Sequence, residues 1–172
     1  MKAKKETLKQ SASSKTKNMS HLDGVKQVGK GMKRVCLSGY TISHHVYPAR
    51  QLLTKIGEEK EQGYETYFKW HKRWSKDETH IPYVQNIKDT LLNAEDKERF
   101  CSREGWSAPF CWLETADDND NVIVSAIGGR DDLKVWAAKE FPQNKAIQDM
   151  CKNGEPWSIF FINPSVPGTA GK

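Results

Sequence analysis

Ile127-Gly128-Gly129-Arg130-Asp131-Asp132-Leu133 joins two segments of different periodicity. Before it, Val122-Ile123-Val124-Ser125-Ala126 is β-branched and apolar and reads as a strand. The two glycines end that strand. After it, Asp131 is placed to cap a helix carrying Leu133, Val135, Trp136 and Ala137. Upstream, Asp117-Asp118-Asn119-Asp120-Asn121 consists of residues that tolerate turn geometry. It therefore predicts a hairpin between the 122–126 strand and Phe110-Cys111-Trp112-Leu113-Glu114, with Ser107-Ala108-Pro109 leading into it.

Further toward the N-terminus, Val35-Cys36-Leu37-Ser38 reads as a buried strand. Val46 to about Glu61 predicts a helix, with Pro48 in its first turn, where a missing N–H costs little. Val46, Ala49, Leu52, Leu53 and Ile56 form its apolar stripe. Gly63 precedes a second strand, Tyr64 to Trp70. His71 to His80 reads as a polar connection. Pro82 opens a helix with Val84, Ile87, Leu91 and Leu92 on one face, running toward Cys101 with a break near Asn93. A short helix is expected over Lys145 to Lys152, and the apolar run Trp157 to Ile162 is expected to add an edge strand or pack on the core. The order is β-α-β-α-β-β-α. Strand–helix–strand at the start implies a parallel first pair, and the hairpin plus helix completes an α/β fold, a small mixed sheet covered by helices.

Charge is unevenly spread. Residues 1–34 carry Lys2, Lys4, Lys5, Lys9, Lys15, Lys17, Lys26, Lys30, Lys33 and Arg34 against Glu6 and Asp23 alone, although the whole chain is only +5. The remainder is therefore net acidic. A segment so poor in apolar residues cannot offset its ordering entropy, so residues 1–33 are expected to form a disordered or extended basic arm. Such arms dock on polyanions, here nucleic acid or an acidic protein surface, or act only as solubilising tails. Residues 34–155 are expected to form the domain and 156–172 a C-terminal extension. No stretch approaches the ~20 apolar residues of a membrane span, and no signal-peptide pattern stands at the N-terminus. An intracellular, cytoplasmic protein is expected, with an organelle as the other option. Cys36, Cys101, Cys111 and Cys151 form neither a CxxC pair nor a zinc spacing and read as free, mostly buried thiols.

The stretch 127–133 resembles the Ile-Gly-Gly-x-Asp-Asp-Leu turn of glutaredoxins. Ser107-Ala108-Pro109 is similar to that family's Thr-Val-Pro, whose proline is cis, and Val35 through Leu53 aligns without gaps on its first strand, active-site turn and first helix. The resemblance covers Arg34 to about Phe141 and implies a thioredoxin-like fold. It places Ser43-His44-His45-Val46 where the catalytic Cys-Pro-Tyr-Cys stands. Thiol exchange needs a thiolate, and a serine hydroxyl is far less acidic, so the resemblance implies a degenerate member. It is similar in kind to the SH3-domain-binding glutamic-acid-rich proteins. The resemblance further implies a glutathione-like site at Tyr40 (in place of a lysine), Ser43, Ala108, Pro109, Arg130 and Asp131, with glutathione as an optional ligand.

Two functions follow as expectations. One is a non-catalytic binding or structural module in a larger protein assembly. The other is a glutathione-dependent thiol oxidoreductase or transferase using Cys111 or Ser43. His44 and His45 stand where general bases would, but the sequence shows neither an orienting carboxylate nor an oxyanion hole, and adjacent histidines suit a shared metal poorly. Asp117–Asn121 lacks the EF-hand Gly and Glu. His71-Lys72-Arg73-Trp74 mixes basic and aromatic groups as nucleic-acid surfaces do, or is an ordinary basic connection.

Overall fold

A computed structural model describes residues 25–59, 63–75, 79–101 and 108–152. The elements are β1 Lys33–Tyr40, α1 Val46–Glu58, β2 Tyr64–His71, α2 His80–Thr90, α3 Ala94–Cys101, β3 Phe110–Ala116, β4 Val122–Gly128, α4 Arg130–Glu140 and α5 Lys145–Lys152. They form an α/β fold around one four-stranded mixed sheet in the order β2-β1-β3-β4. β1 and β2 are parallel, whereas β1–β3 and β3–β4 are antiparallel. The arm residues 1–24 and the 156–172 extension, including the Trp157–Ile162 run, lie outside the described residues.

Strand alternation sends successive residues of β1 to opposite faces. Val35 and Leu37 join Ala49, Leu53, Ile56, Leu133, Ala137, Phe141 and Ile147 in a core under α1, α4 and α5. Cys36 joins Val84, Ile87, Phe100, Phe110, Trp112 and Val124 under α2 and α3. The apolar stripe of α1 is thus buried as its spacing predicts. Fully burying an aromatic such as Trp112 or Phe110 stabilises by about 1.5–3 kcal/mol.

Several boundaries differ from the sequence reading. α1 ends at Glu58, because the Glu59 N–H turns back to the Ile56 carbonyl. The break near Asn93 is real: its side-chain oxygen accepts the Asp96 N–H at 2.7 Å and starts α3. His71 and His80 are not part of a solvated connection. They close β2 and open α2 and are 3% and 0% exposed. α4 is capped by Asp132 rather than Asp131, its Oδ2 accepting the Gly129 N–H at 2.8 Å. Gly128 has φ +121°, and a Cβ there would lie 2.8 Å from the Asp132 carboxyl carbon, so this turn requires glycine.

Residues 25–32 lie against the domain. Val28 is buried, the Lys26 carbonyl accepts from Arg34 at 2.7 Å, and Lys30 pairs with Asp118 at 2.9 Å. Arg34 itself is buried between Glu114 (3.2 Å) and Glu65 (2.9 Å), while the Trp112 indole N–H donates to the other Glu114 oxygen. Both oxygens of the Glu114 carboxylate thereby have a donor, which is what a buried charge requires.

Candidate functional site

The strand register gathers four chain segments at one end of the sheet. Tyr40 pairs with His71, Ser38 with Phe110, and Cys111 with Gly128. The loop 41–45, the loop after His71, the approach at Ala108-Pro109 and the Gly129-Arg130 turn therefore open together. Such strand ends are where open α/β sheets place ligands. Tyr40, Val46 and Ala108 share the α1-side apolar cluster, and the Ala108–Pro109 bond is cis.

Each expected site residue can be placed on this mouth. Tyr40 is 8% exposed, its ring 4.8 Å from that of His80, with the Arg73 guanidinium 5.6 Å from its centre. Ser43 is half-buried, and its carbonyl accepts the N–H of Val46 (3.1 Å) and of Tyr47 (3.2 Å). Helical bonding thus reaches back to Ser43. His44 and His45 are exposed with ring centres 3.8 Å apart. Val46 is buried under Gly39, where an added Cβ would stand 2.9 Å from both valine methyls. Pro109 is buried beside Ala108.

The charges make this end cationic. α1 has no acidic residue in its first turn and no side-chain cap, so the positive pole of its dipole is uncompensated. Partial burial, and then the like charges of His44, Arg130 and Arg73, lower the His45 pKa, with Asp131 opposing. The β1–α1 loop therefore lies within electrostatic reach of the α4 turn. Arg130 clamps Asp131 through Nε (2.9 Å) and Nη2 (3.2 Å), and that bidentate hydrogen bond holds the Asp131 carboxyl below its usual range. With Gly129 bonded to Asp132 and Arg130 to Asp131, this turn is largely satisfied internally.

The thiols lie elsewhere. Cys36 and Cys111 are 0% exposed within the sheet. Burial, and secondarily the Asp132 carboxylate, pushes the Cys111 thiol far above its ordinary value; burial and then Glu114 do the same to Cys36. Cys151 is half-buried in α5, and burial raises its pKa also. A nucleophilic thiolate is disfavoured at each. Among the described residues, no group of three metal-ligating side chains comes together.

The sequence reading missed a buried polar chain behind Tyr40. Ser38 Oγ lies 3.0 Å from His71 Nε2 and 3.0 Å from His80 Nδ1, and His71 Nδ1 is 2.8 Å from Thr79 Oγ1. One hydroxyl proton serves two imidazoles, so Ser38 donates to one ring and accepts from the other. Its signal was present: Arg34, Cys36 and Ser38 alternate inward along β1, and a buried hydroxyl demands a partner. A cleft of about 500 Å³ lined by Met32, Arg34, Tyr64 and Thr66 lies beside the first half of β2, at the other end of the sheet. Among the described residues, no helix is long and apolar enough to cross a membrane. No family model, no curated protein and no solved structure matches this chain.

Proposed function

We propose that this chain is a non-catalytic, glutaredoxin-like binding module with a thioredoxin-like fold. Support comes from the β2-β1-β3-β4 order with a single parallel pair, the cis bond at Ala108-Pro109 and the glycine turn into α4. The observation that carries the functional half is the state of the mouth. Ser43 sits at the start of α1 and Val46 is buried, while Cys36 and Cys111 are enclosed by the sheet with their thiolates disfavoured. At the helix N-terminus, where a cysteine would be activated, the chain carries a serine.

What remains is a cationic mouth suited to anionic partners. The reading is a subunit or adaptor that docks through this end, with Lys2, Lys4, Lys5, Lys9, Lys15 and Lys17 of the arm adding affinity for an acidic protein surface or nucleic acid. Glutathione is a secondary ligand in this reading. Its γ-glutamyl carboxylate would have to draw Arg130 from Asp131, which predicts weak binding at most. Reduction of hydroxyethyl disulfide with glutathione as reductant tests the proposal. Turnover at the uncatalysed rate is expected; clear turnover that disappears in Cys111→Ser would overturn it.

A further inference from the structure

We infer that the corner formed by the end of β2 and the start of α1 binds single-stranded nucleic acid. Stretches 41–50 and 66–75 meet there, the Thr41 N–H donating to the His71 carbonyl at 3.0 Å. Neither contains an acidic residue, and together they bring Arg50, Lys72 and Arg73 to this corner, while Lys69 turns to the other face of the sheet over the Tyr83 ring. Trp74 is 85% exposed and Trp70 38%. A guanidinium lies against each: Arg50 is 5.7 Å from the Trp70 ring centre and Arg73 is 4.7 Å from that of Trp74. Trp70 is also stacked on Phe68, the planes 2° apart.

Trp74 has a φ of +64°. A bulky residue in the left-handed region is unfavourable, and nothing is gained in burial by a side chain so exposed. A strained, solvent-facing indole next to arginine is explained by what it contacts outside the chain. Phosphates would take the cations, and bases would stack on the indole faces and the guanidinium planes. An acidic peptide would neutralise the same charges but leave the indoles in water. A duplex hides its base faces, so the single strand is the better fit. This surface shares the 41–45 loop and Arg73 with the mouth and rests on the reading of that end as an anion-binding one. It uses no thiol position, so its failure would leave the reading of a degenerate thiol site intact.

The test is fluorescence anisotropy of a labelled short oligo(dT) titrated with the full chain and its variants. Trp74→Gly relieves the backbone strain and leaves the fold at least as stable, so a lost function is separable from a lost structure. Binding is expected to weaken about fivefold or more in Trp74→Gly and to stay within about twofold in Trp74→Phe, since stacking is what the ring supplies. Arg73→Ala should reduce the salt slope by about 0.7 between roughly 50 and 200 mM salt. Wild-type affinity in Trp74→Gly would overturn the inference, the basic arm then carrying the binding. Tighter, Trp74-dependent binding of labelled polyglutamate than of oligo(dT) would also overturn it, in favour of an acidic peptide.

Discussion

Replacing Ser43 by Cys places a thiol beside the N-terminus of α1, where a helix dipole favours the thiolate. The Ser43 carbonyl accepts the first two helical N–H groups of α1, the first turn has no acidic residue, and the neighbouring His45 feels Arg130 and Arg73. An ordinary thiol titrates near ~8.5, and helix N-termini bring it to roughly 3.5–7.5. The exposed flank of Ser43 argues for the upper part of that range, a pKa of about 6.5. At pH ~6 the thiolate fraction then rises from ~0.3% to ~24%, about 75-fold. Nucleophilicity falls with basicity at a Brønsted slope near ~0.45, which removes about eightfold and leaves a net gain of roughly tenfold. The assay is iodoacetamide alkylation against pH, resolved by peptide mass spectrometry. Thr54→Cys, exposed in mid-α1, serves as the ordinary thiol. A Ser43→Cys thiol titrating at about 8.5 or above, or reacting no faster than the Thr54→Cys thiol at pH ~6, would refute the placement of Ser43 at an activating helix start.

Glu114→Ala leaves the buried Arg34 guanidinium with the half-exposed Glu65 as its counter-ion and the Lys26 carbonyl as its other acceptor and should cost about 3 kcal/mol in urea unfolding. Glu65→Ala should cost no more than about 1 kcal/mol, and equal losses would contradict the ranking. Gly39→Ala drives a methyl into Val46 and should destabilise by about 1–3 kcal/mol, with part recovered when Val46→Ala is added. Acid should weaken the fold in two steps. Burial, with Lys69 assisting, lowers the His71 pKa, so the folded state prefers the neutral ring. That contribution is complete above the ordinary histidine value and lost as pH falls from it toward the depressed folded value. The Lys33 and Tyr64 hydrogen bonds lower the Glu140 pKa, so its contribution is lost further down, as pH falls below the ordinary carboxylate range. Thermal midpoints across pH check this, and His71→Asn should reduce the first step, leaving the part due to His45, and spare the second.

The elements whose signals are local could be read directly. The 127–133 turn marked a strand end and a helix start, and the α1 stripe named its buried face, since both depend on spacings of a few residues. The same locality explains the error at the cap. Asp131 and Asp132 are equivalent by composition, and only the path through Gly128 at φ +121° brings Asp132 rather than Asp131 back to the Gly129 N–H. Long-range partners were invisible. Arg34 meets Glu114 across the sheet, and His71 and His80 meet only because Ser38 lies between them on a third element. Neither pairing follows from periodicity. At the mouth, the spacing of Ser43, Val46 and the α4 turn could be aligned from sequence. The internal clamping of Arg130 by Asp131, which weakens the case for a ligand there, could not.

The account depends on native thiols being walled off from the mouth. Peptide-resolved labelling of the folded chain with a small alkylating reagent tests this most directly. Cys36 and Cys111 should react only as fast as the domain unfolds, and quickly once denaturant is added. Labelling of Cys111 in the native chain at the rate of an exposed thiol would contradict the binding-module account and return the site to thiol chemistry.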